Sequence, residues 1–457
     1  MNVTVPRNKN ALSEHSISKI FWRYTLPAVA SMLVNGLYST IDGIFIGQVV
    51  GASGLAAINL AWPLFGLIVG VGMMAGMGAA TLFSIARGEQ AHQKAQQFLE
   101  SAILLIVIAS VALAPTLYFT SGSLLSIMGA KGELLTLADD YLKIISAGAF
   151  FAIGAAALPL IVRNNERPQL ATAIIITGAV FNIIFDYLFI VIFRWSISGA
   201  AIATLLGEAI TVIWSLGYLF SAQSGLKLSF RHLTRSAGHF NNILATGLPS
   251  FGIFIYFSFV TAFHNRLFLA YGSSLTLAAF TIVGYIQAVY YMAAEGVANG
   301  IQPIVSYNKG ARNNKNIRDV IKLSVGTVLT TGIAATLFIF IWPQEVAAIF
   351  NHNNTALINK TAMGLKLHLF SMYLDGFIVV VAAYFQALAR HKIATWITMG
   401  NMLIQIPLLL TLPEWLGVTG VWISLPVSNI FLAVIVARLL WTDLKLRPVN
   451  NSSSPFA

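Results

Sequence analysis

Residues 25–48 read TLPAVASMLVNGLYSTIDGIFIGQ, a run whose only charge is Asp42. A helix crosses the hydrocarbon core of a bilayer with about 20 apolar residues, so this stretch is long enough to span. Comparable runs recur to the end of the 457-residue chain, which is 57% hydrophobic and 9% charged. Soluble domains carry about a quarter charged residues. The composition therefore predicts an all-α polytopic membrane protein. The sequence holds no cysteine, which excludes disulfides, thiolate metal sites and cysteine nucleophiles. The polar start of the chain has no apolar core of the kind a cleaved signal carries, so the first span is expected to direct insertion.

Twelve spans are expected, at 21–46, 56–84, 97–120, 138–162, 169–193 and 198–221, then 243–270, 276–304, 319–343, 361–388, 393–412 and 417–440. The basic residues test this count. Arg7, Lys9, Lys19 and Arg23 precede the first span; Arg87, Lys94, Arg163 and Arg167 follow the second and fourth. Lys227, Arg231 and Arg235 fill the central loop, and Lys309 to Lys322, Arg390, Lys392, Arg438, Lys445 and Arg447 continue the series. That places 21 of 27 basic residues on one side, against Lys131, Arg194 and Lys360 on the other. Such asymmetry puts both termini in the cytoplasm and requires an even number of spans. It also assigns the formal charge of +11 to membrane topology, with no nucleic-acid partner.

Shifted by 222 residues, the sequence meets its own landmarks. Leu26-Pro27 falls on Leu248-Pro249, Ala56-Ala57 on Ala278-Ala279, Arg87-Gly88 on Lys309-Gly310 and Gly178 on Gly400. Six spans per copy insert both copies in one orientation, so the halves are expected as parallel repeats about an axis along the membrane normal. The expected division is a six-helix lobe at 1–221, a cytoplasmic loop at 222–242 and a second lobe at 243–457. Two lobes facing a central cleft form the architecture of a carrier.

Charges inside the spans are few, and an aspartate at a helix centre costs roughly 2.5–3.5 kcal/mol to insert. Asn35, Tyr38 and Asp42 are spaced by three and four, so they share one helix face. Asn182 and Asp186 share a face of the fifth span, and Thr204 and Glu208 a face of the sixth. This oxygen-rich set suits a proton or a hard cation such as Na⁺. The second copy places His264, Ile404 and Leu408 where Asp42, Asn182 and Asp186 stand, so one half alone keeps the cluster. No further metal site and no cofactor are expected, since the eight histidines show no paired spacing.

Together with GAVFNIIFDYLFI, WSISGAAIAT, GLPS and YFQALAR, the opening stretch resembles the multidrug and toxic compound extrusion (MATE) family over residues 15 to 445. The likeness is to its bacterial branch of DinF-type and MepA-type transporters. The resemblance implies a cation-coupled (H⁺ or Na⁺) antiporter that exports amphipathic, often cationic drugs by alternating access. It implies no enzyme activity and a multi-pass place in the bacterial inner membrane, in contact with lipid, as a monomer. It implies a coupling-ion site at Asp42, Asn182, Asp186 and Thr204, with Tyr38 and Tyr141 as aromatic neighbours, and a bend of the first helix at Pro27. Another branch carries a glutamate in the seventh span where Phe257 stands here, while Asp375 matches that branch's tenth-span aspartate.

For the drug-facing wall, Met73, Met292 and Tyr291 offer adaptable apolar surface, and Glu295 and Asp375 attraction for a cation. Two rivals compete with this reading. A lipid-linked oligosaccharide flippase would line its cleft with basic residues, where the spans offer little beyond Arg266. A membrane enzyme would gather nucleophile, base or metal ligands near one face, whereas these histidines are scattered and the aspartates sit deep.

Overall fold

The computed structural model describes residues 16–224, 228, 237–350 and 354–447. Arg7, Lys9, Lys227, Arg231, Arg235, most of the central loop and the end of the tail lie outside the described residues. Every regular element among the described residues is helical. The first half runs α1 (Ile17–Val49), α2 (Ala52–Gly88), α3 (His92–Ile127), α4 (Gly132–Ala147), α5 (Ala149–Asn164) and α6 (Pro168–Asp186). A π-helical turn at Tyr187–Ile192 extends α6, and α7 (Ser196–Phe220) closes the half. The second half runs α8 (Phe240–Tyr271), α9 (Ser274–Gly310), α10 (Asn314–Ile341), the short α11 (Pro343–Ala348) and α12 (Thr355–Leu369). It ends with α13 (Met372–Ala387), α14 (His391–Leu416) and α15 (Val418–Leu446).

Ten of these helices are long and apolar enough to cross a membrane alone, and α4–α5 and α12–α13 make twelve when each bent pair is one span. The duplication reaches the backbone. Moved by 222 residues, and with the π turn counted as the end of α6, first-half boundaries land within two residues of second-half ones as far as the start of α15. Even the left-handed Gln90 has its copy in Arg312.

Three local features depart from the sequence expectation. The fourth span bends by 62° at Gly148, and its copy by 44° near Ser371, where unbroken helices at 138–162 and 361–388 are expected. Glycine is not the common cause, because only one copy has it. In both, the bend lies against the last span of its half: Leu205 stands over Gly148, and the Ser371 hydroxyl donates to the Pro426 carbonyl at 3.3 Å. Secondly, the narrow 413–416 interval is still helix. The chain instead turns at Gly417, whose φ of +58° suits a residue without a side chain. Thirdly, Arg163 is not a loop cation. It sits in the last turn of α5, 1% exposed, and donates to Ser31 Oγ at 3.3 Å.

The halves cross at their first helices. Ile20, Phe21 and Tyr24 of α1 are buried in a core formed otherwise by the second half, with Val297, Ile301 and Val380. Reciprocally, Ile243 of α8 is buried in the first-half core with Phe83 and Ile161. Helix α1 packs along α9, and α8 along α2. The approach is tightest at the end that carries both chain termini. There Gly88 meets the Tyr307 backbone, Gly310 that of Ile85, and Gly247 that of Met74, leaving no room for a Cβ. Toward the other end, Gly43 and Gly284 of the same helices face no atom that a Cβ would touch. The halves are therefore closest at the termini end.

Candidate functional site

Three helices of the first half meet near the level of Asp42. Helices α6 and α7 cross at Gly178 and Gly207, where a Cβ on Gly207 would strike the Gly178 carbonyl and the Asn182 side chain. This approach sets Asn182 and Asp186 on α6 beside Thr204 and Glu208 on α7, with α1 packed along α6. Asn182, Asp186, Thr204 and Tyr141 are all buried. Tyr141 comes from α4, just before the bend. Helices α1, α4, α6 and α7 pack on one another here, so the faces that carry Tyr38 and Asp42, Tyr141, Asn182 and Asp186, and Thr204 and Glu208 belong to neighbouring helices of one bundle.

The site is short of partners. Asp186 Oδ1 and Oδ2, Asp42 Oδ1, Glu208 Oε2 and both ends of the Asn182 carboxamide are buried with no hydrogen bond. Among the described residues no lysine, arginine or histidine forms a salt bridge with the three acids. Carboxylates shielded from water and left unpaired are costly. A proton on one of them, or a cation taking oxygens from several, offsets that cost. No three His, Cys, Asp or Glu side chains among the described residues converge as a closed metal cage. Oxygens of Asn182, Thr204 or water would have to complete a sodium shell here, whereas a proton needs one carboxylate. Asn35 lies on the same α1 face, partly buried. The π turn begins immediately after Asp186; such turns disrupt the regular hydrogen-bond ladder and recur at functional sites, and no sequence signal marked it.

The second half handles its acid differently. Asp375 on α13 is 8% exposed and accepts from Gln287 Nε2 at 3.1 Å and from Asn429 Nδ2 at 2.5 Å. Asn401 donates to Asn429 at 2.8 Å, and Ser428 donates to Asn401. Sequence reasoning found Asp375 but missed this network, because isolated Gln and Asn residues on separate spans carry no spacing signal. Glu295 stands one helical turn after Tyr291 on α9, and the Tyr291 ring packs edge-on against Phe257 at 5.0 Å. Met292 lies against Gly36 of α1, between the halves. Met73 is partly buried and packs on the first-half core. His264 and His368 each place Nδ1 on a backbone carbonyl, Val260 at 2.9 Å and Trp422 at 2.8 Å, within an aromatic cluster.

At the termini end a polar lock joins the halves. Asn164 on α5 donates to Gln302 Oε1 on α9 at 2.8 Å, and Gln302 Nε2 donates to Thr81 at 3.0 Å and Ser306 at 3.1 Å. Asn164 also accepts from Ser84 at 2.7 Å. Pro27 lies inside α1, which continues through it unbroken. The Pro27 carbonyl accepts from Ser31 at 3.1 Å and from Thr172 of α6 at 2.8 Å.

Comparison with known proteins agrees with this architecture. The MatE family model matches residues 27–188 and again residues 249–411, two stretches whose starts are 222 residues apart. Multidrug export protein MepA of Staphylococcus aureus (strain N315) is 24% identical over 427 residues, covering 93% of this chain and 94% of its own. Its namesake from Staphylococcus haemolyticus (strain JCSC1435) is 24% identical over 445 residues, covering 96% and 97%. The fold is similar to a solved outward-facing structure of a multidrug resistance MATE family transporter of the MOP superfamily. That likeness has a TM-score of 0.90 at 24% identity over 95% of this chain and 98% of the other.

Proposed function

The chain belongs to the MatE family, and from that premise we propose that it is a cation-coupled antiporter, not an enzyme, which exports amphipathic and often cationic drugs by alternating access. The observation that carries this reading is the set of unpartnered buried oxygens on Asp42, Asn182, Asp186 and Glu208. Ion-free, the site holds more negative charge than its surroundings stabilise. H⁺ or Na⁺ entering from the open side relieves that imbalance and changes how α1 is held against α6 and α7. Pro27 is where α1 yields, because its nitrogen gives no hydrogen bond to the preceding turn. The drug occupies the cleft, with Glu295 and Asp375 attracting its positive charge and Tyr291 and Met292 covering its apolar body. Tyr38, Tyr141, Thr204 and Asn35 complete the ion site, and Met73 adds apolar surface to the drug-facing wall.

The lobes correspond to residues 1–221 and 243–457, and the rocking unit exchanges the start of α1 for the start of α8. The termini end faces the cytoplasm of a bacterial cell, because the basic residues concentrate there, and a single copy suffices for transport. The test uses the purified protein in liposomes loaded with a lipophilic cationic dye, with proton and sodium gradients imposed separately. Dye movement driven by one of these gradients, without chemical change to the dye, is the expected result. Equal dye movement with neither gradient imposed would remove the coupling role from the carboxylate site.

A further inference from the structure

A groove of about 240 Å³ opens between α13, α14 and α15 at the termini end, away from the cleft. Its walls are apolar: Phe385, Ile393, Ile435, Leu439 and Leu446. Two arginines, Arg390 and Arg438, stand at it. Asp443, the one acid in the lining, is already occupied. Its Oδ1 accepts from Arg390 at 2.5 Å, and its Oδ2 accepts from Arg447 at 2.8 Å and Tyr384 at 2.5 Å. Two guanidinium groups on one carboxylate leave the cluster with a positive excess. Arg438 is exposed and, among the described residues, forms no ion pair.

The level of the groove in the membrane is marked by its own helix. Trp441, 59% exposed, carries the Lys445 ammonium 3.5 Å above its ring. Arg438, Trp441 and Lys445 are spaced by three and four along α15, so they lie on neighbouring positions of one face. Exposed tryptophan with a lysine beside it is the pairing found at the headgroup level of a bilayer. Ile435 and Leu439 lie on the bilayer side of that level and Leu446 at its outer edge. The groove is also below the roughly 300–1,000 Å³ that a drug-sized ligand occupies. The first repeat has no equivalent, since Arg438, Arg390 and Asp443 fall on Leu216, Pro168 and Ser221.

We propose that this groove binds one anionic phospholipid, its phosphate on Arg438 and Arg390 and the start of an acyl chain along Ile435 and Leu439. Arg390 holds the phosphate while still bound to Asp443, and Arg438 supplies the uncompensated charge. The lipid sits on the outer surface of α13–α15, where it braces the bent α12–α13 span and the end of α15 against each other. This site is independent of the transport reading.

The experiment is native mass spectrometry of the full-length protein in mild detergent, titrated with phosphatidylglycerol, phosphatidylcholine or inorganic phosphate, with thermal unfolding followed in parallel. Expected is retention of one phosphatidylglycerol in preference to phosphatidylcholine, together with a higher unfolding midpoint. Arg438→Gln should weaken that retention about five-fold, the effect of one interfacial basic residue. Arg438→Lys should keep most of it, and Lys322→Gln, an exposed cation at the same end outside the groove, should leave it unchanged. Arg438 makes no internal contact that folding needs, and the lipid-free midpoint of the variant checks this. Equal retention of the two lipids, an equal effect of inorganic phosphate, equal losses in Arg438→Gln and Lys322→Gln, or protection that appears only with a dimer mass would each overturn the proposal.

Discussion

Spans five and six of the first half meet at Gly178 and Gly207, backbone against backbone. Their copies, spans eleven and twelve, meet through side chains, because Ala179 has become Asn401 and, with the one-residue slip that sets Gly199 on Gly420, Gly207 has become Ser428 and Glu208 has become Asn429. The first arrangement draws two helices together and leaves Asn182 Oδ1, both Asp186 oxygens and Glu208 Oε2 buried without protein partners. The second spends carboxamides on the crossing and uses one of them to satisfy Asp375. One inherited geometry thus yields an unsatisfied site in one copy and a saturated network in the other. An unsatisfied site responds to an arriving ion; a saturated one holds its shape.

The harshest way to break this contrast is at the crossing itself. Gly207→Leu drives a side chain into the Gly178 carbonyl and Asn182, and no rotamer avoids backbone. The expected outcome is loss of the monodisperse folded protein in size-exclusion chromatography. Asn429→Gly in the other half removes two hydrogen bonds, costing about 1–3 kcal/mol each where a buried partner is left unpaired, and should still yield folded protein.

Next in size is the proposed ion site. Asp42→Asn should lower gradient-driven dye transport in liposomes at least about ten-fold, or about 1.4 kcal/mol of coupling. His264→Asn, at the copied position, should stay within about two-fold, because His264 already holds a backbone carbonyl within an aromatic cluster. Equal losses would mean that both copies still act as ion sites.

An effect on conformation rather than on coupling is expected at the lock. Gln302→Ala leaves Asn164 and Thr81 short of partners across the halves, destabilising the closed termini end by about 1–3 kcal/mol. The chain has no cysteine, so two introduced at that end can be spin-labelled without background. A distance distribution shifted toward longer separations is the expected readout, and an unchanged one would show that the glycine contacts alone close this end. The mildest variant is Asp375→Asn, which keeps the shape of the network. It should raise the apparent KM for a cationic dye a few-fold while the ion-to-dye stoichiometry stays the same.

The twelve crossings and the duplication were legible because hydrophobic length and a constant offset survive sequence divergence. So were the shared faces of Asn182 with Asp186 and of Thr204 with Glu208, since spacing by three and four fixes a helix face before any neighbour is known. The bends at Gly148 and Ser371 were not legible, because their cause is a contact with the last span of each half. Arg163 read as a loop cation because charge at a span end is ordinarily solvated, and only the packing of α1 over it shows burial. Met73 and Met292 look alike in sequence. Whether either faces the cleft depends on helix rotation, and a uniformly apolar span does not encode rotation.

The crossed first helices also bear on biosynthesis. Phe21 and Tyr24 leave the ribosome more than two hundred residues ahead of Val297 and Val380, the residues that bury them. The first six spans therefore enter the membrane with an aromatic surface waiting for its cover, and Ile243 supplies the missing piece of their own core only as the seventh span arrives. Neither half is a finished unit when synthesis reaches the midpoint. A chain truncated there would carry the waiting surface permanently, the kind of lesion a membrane quality-control protease can recognise.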